Sequence, residues 1–184
     1  MNRRQFAGHL VGGVAGLALA GTSLTLEGCS ALNELETWVP VGLTAFDGIA
    51  SIVDGPFTAI ATTVDNLWAA VQNAINLYQH STDPQNTRLD KIIATLDALS
   101  GGLTQALAAL PVSIPAAVLS AAKLGLSLLI ATLVSIRNKL QPVTPPPPAA
   151  MKAAIGVAPA KSTKDFVNKF NAIMAANGQT LRVK

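Results

Sequence analysis

Apolar residues return at steps of three and four along most of the chain, the spacing that gathers side chains on one face of an α-helix. The stretch from Pro56 to His80 shows it best. Phe57, Ile60, Val64, Leu67, Val71 and Tyr78 form a stripe that Trp68 and Ile75 widen, while Thr63, Asp65, Gln72, Asn73, Asn76 and Gln79 fall opposite. Leu89, Ile92, Leu96, Leu99, Leu103 and Leu110 repeat the spacing in a following helix. Upstream, Leu32, Leu35 and Trp38 predict a two-turn helix over 30–39 that Pro40 ends, because proline lacks the amide donor and clashes with the preceding turn. Leu43, Phe46, Ile49 and Val53 predict another over 41–53, weakened by Gly42 and Gly48 and closed by a turn at Asp54-Gly55-Pro56.

The joints between these patterns carry their own chemistry. Ser81 to Asn86 is a turn cluster in which Asp83 can accept from the first amides of the next helix and Pro84 presets its first turn. Gly101-Gly102 interrupts that helix, and two glycines costing about 1 kcal/mol each relative to alanine predict a bend or break. Pro111 to Pro115 is the next joint. The segment 116–141 is the most apolar element and is long enough to cross a bilayer, but Ser113, Ser120, Lys123, Ser127, Ser135 and Asn138 lie close to one face. A lysine at that depth costs roughly 2.5–3.5 kcal/mol in lipid, which favours a central bundle helix. Pro142 and Pro145 to Pro148 cannot continue a helix and predict a semi-rigid extended spacer. Beyond it, Ser162-Thr163-Lys164-Asp165 has the form of a helix start, Phe166, Phe170, Ile173 and Met174 share a face, and Asn177-Gly178 is a stop. That helix either docks on the bundle through its phenylalanines or awaits a partner. The tail, with Leu181 and Val183 alternating with Thr180, Arg182 and Lys184, is a short strand or a frayed end.

These patterns predict an all-α protein: an antiparallel bundle of three to four helices over 29–141, a Pro/Ala-rich linker over 142–161, and a separate basic C-terminal helix and tail over 162–184. Composition agrees. Half of the residues are hydrophobic but only 4% are aromatic, and alanine, leucine and isoleucine suit close helix packing better than a sheet. A lone cysteine, Cys29, leaves no internal disulfide, so packing alone must hold the fold.

The net charge of +3 hides an asymmetry. Between Cys29 and Leu110 eight acids face only Arg88 and Lys91, for a net −6, whereas from Pro111 onward nine cations face the single acid Asp165, for a net +8. Two readings are open. The halves fold against each other with complementary fields, or the basic end meets an envelope protein or an anionic surface such as lipid headgroups.

The N-terminus supplies an address. Arg3-Arg4-Gln5-Phe6 precedes an apolar run from Leu10 to Leu26 of the length of a secretory signal rather than of a full membrane span. The pair Arg3 and Arg4 with Phe6 resembles the twin-arginine translocation motif. Leu26-Glu27-Gly28-Cys29 resembles a bacterial lipobox, in which a leucine three places before the cysteine and a small residue just before it permit acylation of the thiol; Glu27 departs from the small residue usual there. The resemblance implies an export signal over 1–28, cleavage after Gly28 and anchorage to the lipid bilayer through acylated Cys29. It also implies a periplasm-facing protein of the bacterial envelope, with Ser30 after the cysteine favouring the outer membrane. The remaining readings are a soluble secreted protein and an uncleaved signal acting as an anchor.

Little in the mature chain suggests chemistry. His80 is the sole histidine after the signal, and its place at a predicted helix end reads as a C-terminal charge. The carboxylates are scattered, without a glycosidase pair or a calcium loop, and no glycine pattern follows a strand. No catalytic residue, cofactor or metal is expected. Nucleic acid is not an expected partner on grounds of compartment, despite the C-terminal lysines. The sequence therefore predicts a non-enzymatic, lipid-anchored envelope protein with a structural or interaction role. The alternative is a membrane-active protein whose helix 116–141 inserts in or lies on a bilayer.

Overall fold

The computed structural model describes residues 26–53, 57–140 and 157–184; for residues 26–29 and Asn86 only the backbone is described. The run that resembles a twin-arginine motif, the predicted turn at Asp54-Gly55-Pro56 and the predicted proline-rich spacer lie outside the described residues. Five helices form the described chain: α1 Leu26–Val53, α2 Thr58–His80, α3 Gln85–Ala108, α4 Ala116–Leu140 and α5 Thr163–Ala176. Contacts between their ends set the directions. Gln79 of α2 meets Glu36 of α1, Arg88 of α3 meets Tyr78 of α2, and Lys139 of α4 meets Glu34 of α1. α1 to α4 thus run up, down, up and down around one core, as expected of an antiparallel bundle. α5 lies over α1 and α4, parallel to α1.

α1 is a single helix through Pro40, where the sequence predicts a break. Proline costs about 3 kcal/mol inside a helix. Here it faces solvent, and apolar residues on both sides enter the same core: Leu35, Trp38 and Val39 before it, Phe46, Ile49 and Val53 after. Burying such side chains contributes about 1.5–3 kcal/mol each, so packing outweighs the local defect. Gly42, which the sequence reads as a weakness, is where α1 and α2 approach. A Cβ there would stand 2.6 Å from Trp68 Cη2, and the rings of Trp38 and Trp68 meet beside it at 5.3 Å.

α3 likewise runs without a break through Gly101 and Gly102, where the sequence predicts a bend or break. Its start differs too. Asp83 does not cap the helix; Pro84 occupies the cap position with no side-chain hydrogen bond, and Asp83 pairs with Lys91 at 3.3 Å.

α4 is buried almost all round. Leu126, Leu128, Leu129, Ile130 and Leu133 are wholly enclosed, because the helix has α1, α3 and α5 as neighbours. A helix packed on three sides must be apolar on three sides, which is why it passes the length and composition test for a membrane span. The polar edge expected along it is only partly exposed: Lys123 reaches solvent, while Ser127 is buried.

α5 docks on the bundle, the first of the two alternatives the sequence leaves open. Phe166, Phe170 and Met174 are fully buried, Phe166 meets Trp38 edge-on at 5.7 Å, and Phe170 and Met174 close on Gly125 of α4. Its N-terminus is built as the sequence predicts: Ser162 Oγ accepts from the Asp165 amide (3.2 Å), and an Asp165 oxygen accepts from the Lys161 amide (2.8 Å). Gly178 ends the helix in the left-handed region at φ 70°. The tail is neither strand nor frayed. Asn171 clasps Val183, its Oδ1 accepting from the Val183 amide and its Nδ2 donating to the Val183 carbonyl, both at 2.9 Å.

Candidate anchor and interaction surfaces

Cys29 lies in the first turns of α1, and the core starts almost at once: Ala31 and Leu35 are fully buried and Leu32 nearly so. Two helical residues rise about 3 Å, so the described chain has no spacer between the cysteine and the bundle. The end of the bundle around it comprises the start of α1, the turn between α2 and α3, and the end of α4. Two of its cations are matched by acids. Lys139 bonds Glu34 at 2.6 Å and Lys91 bonds Asp83 at 3.3 Å. Arg88 lies over the Tyr78 ring, 5.1 Å from its centroid, and donates to the Tyr78 carbonyl. His80 Nδ1 donates to the Asn76 carbonyl (2.9 Å), a bond local to the end of α2.

Two cross-pairs join the acidic and basic parts of the chain: Lys139 with Glu34, and Arg137 with Asp97 through two bonds of 2.9 and 3.1 Å. The complementary-field reading of the charge asymmetry therefore holds at α4. The cations further along are placed differently. Lys161, Lys164, Arg182 and Lys184 are exposed, and none has a carboxylate partner among the described residues. Lys169 pairs with Asp165 at 3.1 Å. The sequence shows these lysines but not which of them remain free.

On the far side, the carboxyls of Asp47 of α1 and Asp65 of α2 are near enough to bond when one is protonated, and no cation pairs with either among the described residues. Partial burial pushes the carboxyl of Asp47 above its ordinary value, against the lowering effect of its bond with Asp65. Burial also raises Asp65, and the charge and hydrogen bond of Asp47 raise it further. Residues eighteen apart in different predicted helices carry no local signal of this pairing.

Two concave features lie on the described surface. A groove of about 300 Å³ between α1 and α2 is lined by Glu36, Val39, Pro40, Gln72, Ile75 and Gln79, and Gln79 donates across it to Glu36 (2.6 Å). At the other end of the bundle, Leu119 and Leu124 with Lys123 line a shallow hollow, and Val112 in the neighbouring loop is 90% exposed. Beneath the surface the indole N–H groups of Trp38 and Trp68 are buried without an acceptor. Among the described residues no three of the His, Cys, Asp and Glu side chains gather as a metal site would require. No family model matches the chain, and no curated protein or solved structure does either.

Proposed function

We propose that this is an exported lipoprotein of the bacterial envelope, held to a bilayer by acylated Cys29, whose helical bundle serves a structural or interaction role without catalysis. The observation that carries the reading is the closeness of Cys29 to the core. A lipobox-like cysteine, two residues before the buried Ala31, joins a self-packed body directly to the proposed tether. Acyl chains contribute about 0.8 kcal/mol per buried methylene, so a doubly or triply acylated N-terminus holds the body stably at the surface. The apolar stretch of α4 is used within the bundle. Inserting it in lipid would withdraw Leu128, Leu129 and Ile130 from α1, α3 and α5, which weighs against the membrane-active alternative.

Intact-mass measurement of the protein from the membrane fraction tests this. The expected species begins at Cys29 and carries the added mass of acyl chains, and Cys29→Ser abolishes that added mass. A species that keeps Met1, or an unmodified one beginning elsewhere, refutes the anchor.

A further inference from the structure

We infer that the outer face of α5 and the C-terminal tail is a binding face for an anionic bilayer, so that the anchored bundle lies on its side with this layer against the headgroups. The geometry rests on the proposed tether at Cys29; the charge argument does not.

Residues 157–184 hold five cations, Lys161, Lys164, Lys169, Arg182 and Lys184, and one acid, Asp165. Asp165 is already engaged by Lys169 and the Lys161 amide. The other four cations are exposed and project from one layer, because Phe166, Phe170 and Met174 turn the opposite side of α5 into the core. The tail repeats that alternation. Val183 is buried and Leu181 packs on Gly48 of α1, so Arg182 and Lys184 face outward, and Arg182 is steadied by donating to the Asn171 carbonyl (2.9 Å). Between the cations the exposed residues of α5 are small, Asn168, Ala172, Ala175 and Ala176, so nothing bulky holds the layer away from a flat surface.

Position decides between this face and the others. Thr163 at the start of α5 meets Thr37 of α1 at 3.1 Å, eight residues or about 12 Å along α1 from Cys29. Met174 lies beside Gly125 at the level of Ile49, about 30 Å along. The basic face therefore begins close to the tether and runs up the bundle. With no spacer after Cys29, the body either stands on its end or rests on one side. The end offers a surface little, since Lys139 and Lys91 are already paired with Glu34 and Asp83 and Arg88 is half-buried against Tyr78. The α1–α2 side and α3 carry Asp47, Asp65 and Asp90, which have no cation partner among the described residues and would be repelled. Lying on the α5 layer brings four free cations within a Debye length of the headgroups, and a lipid anchor plus a basic patch is the pairing that makes membrane attachment stable.

The test uses unlipidated protein from residue 29 with Cys29→Ser, which retains every residue of the described core. Its sedimentation is measured with vesicles of phosphatidylcholine alone or mixed with phosphatidylglycerol. Binding is expected only to the mixed vesicles and should be lost at high salt. A cation near such a surface is worth about fivefold in affinity, so Lys164→Gln with Lys184→Gln should weaken binding about 25-fold. Lys91→Gln with Lys123→Gln, the same change in net charge away from the layer, should weaken it far less. Both pairs are exposed, and a thermal melt confirms that each variant folds. Equal loss from the two double variants overturns the assignment of the face. Salt-resistant binding to both kinds of vesicle overturns it in favour of insertion by α4. Retention on dextran sulfate without any vesicle binding overturns it in favour of an anionic polymer. Failure of the proposed anchor would appear instead as the missing acyl mass and leaves these outcomes unchanged.

Discussion

Gly101 and Gly102 are adjacent in an unbroken helix yet meet different surroundings, which makes them an internal experiment. A Cβ on Gly101 would find no atom within 4 Å, whereas one on Gly102 would lie 2.6 Å from Leu67 Cδ1 and 3.5 Å from Val64 Cγ2 of α2. Either glycine replaced by alanine gains about 0.8–1 kcal/mol of helix propensity. For Gly101→Ala nothing opposes that gain, and in a domain of this size it should raise Tm by about 2–4 °C. For Gly102→Ala the new methyl must displace Leu67 or part the two helices. Overpacking of this kind costs typically 1–3 kcal/mol, so the net change runs from roughly zero to a loss of about 2 kcal/mol. The difference between the variants cancels the propensity and isolates the contact, and it should be about 1–3 kcal/mol. Urea unfolding followed by circular dichroism measures both, with unchanged m-values as the control. If Gly101→Ala destabilises, or the two variants behave alike, then α3 does not run unbroken through the pair against α2.

Phe170→Ala removes a fully buried ring from the seam of α5 with α4 and should cost about 3–5 kcal/mol, seen first as faster amide exchange and proteolysis within 157–184. Asp97→Ala leaves Arg137, whose side chain is only 15% exposed, without its carboxylate and should cost about 1–3 kcal/mol by urea unfolding. Lys91→Ala, at a pair about half exposed on both sides, should cost under about 0.5 kcal/mol. Asp47 and Asp65 titrate above their ordinary value of 3.8 in the folded protein, so the folded form holds more protons than the unfolded chain above that pH. Their contribution to stability is therefore present below about pH 4 and is lost as pH rises through the raised folded values. Asp47→Asn should flatten that part of the profile and raise stability at neutral pH by less than about 1 kcal/mol, since both groups are exposed. Asp165, held low by the Lys161 amide and then by Lys169, acts in the opposite sense: its contribution is present above about pH 4 and is lost as pH falls through its lowered value.

The all-α class, the approximate spans of α2 to α5, the start of α5 at Ser162 and its stop at Gly178 are legible in the sequence, because each depends on residues within a few positions of one another. The same local rules fail at Pro40 and at Gly101-Gly102, where they register a cost without the contacts that offset it. At Pro40 the opposing term is the burial of Trp38 and Phe46 on either side. At Gly102 it is the nearness of Leu67, so the residue that looks like a flaw in the helix is a condition of its packing. Asp83 was suited by sequence to cap α3, but its charge is taken by Lys91.

The candidate surfaces divide in the same way. The lipobox-like run, the lone cysteine and the opposed charges of the two parts are properties of order along the chain, and sequence alone determines them. Which cations are spent on Glu34, Asp97 and Asp165 and which stay free depends on helices meeting side by side, as does the pairing of two aspartates eighteen residues apart. Tertiary structure decided these, and it decided whether α4, apolar enough for lipid, had protein neighbours instead. Periodicity reports how much of a helix surface is apolar; only the arrangement of the other helices reports what covers it.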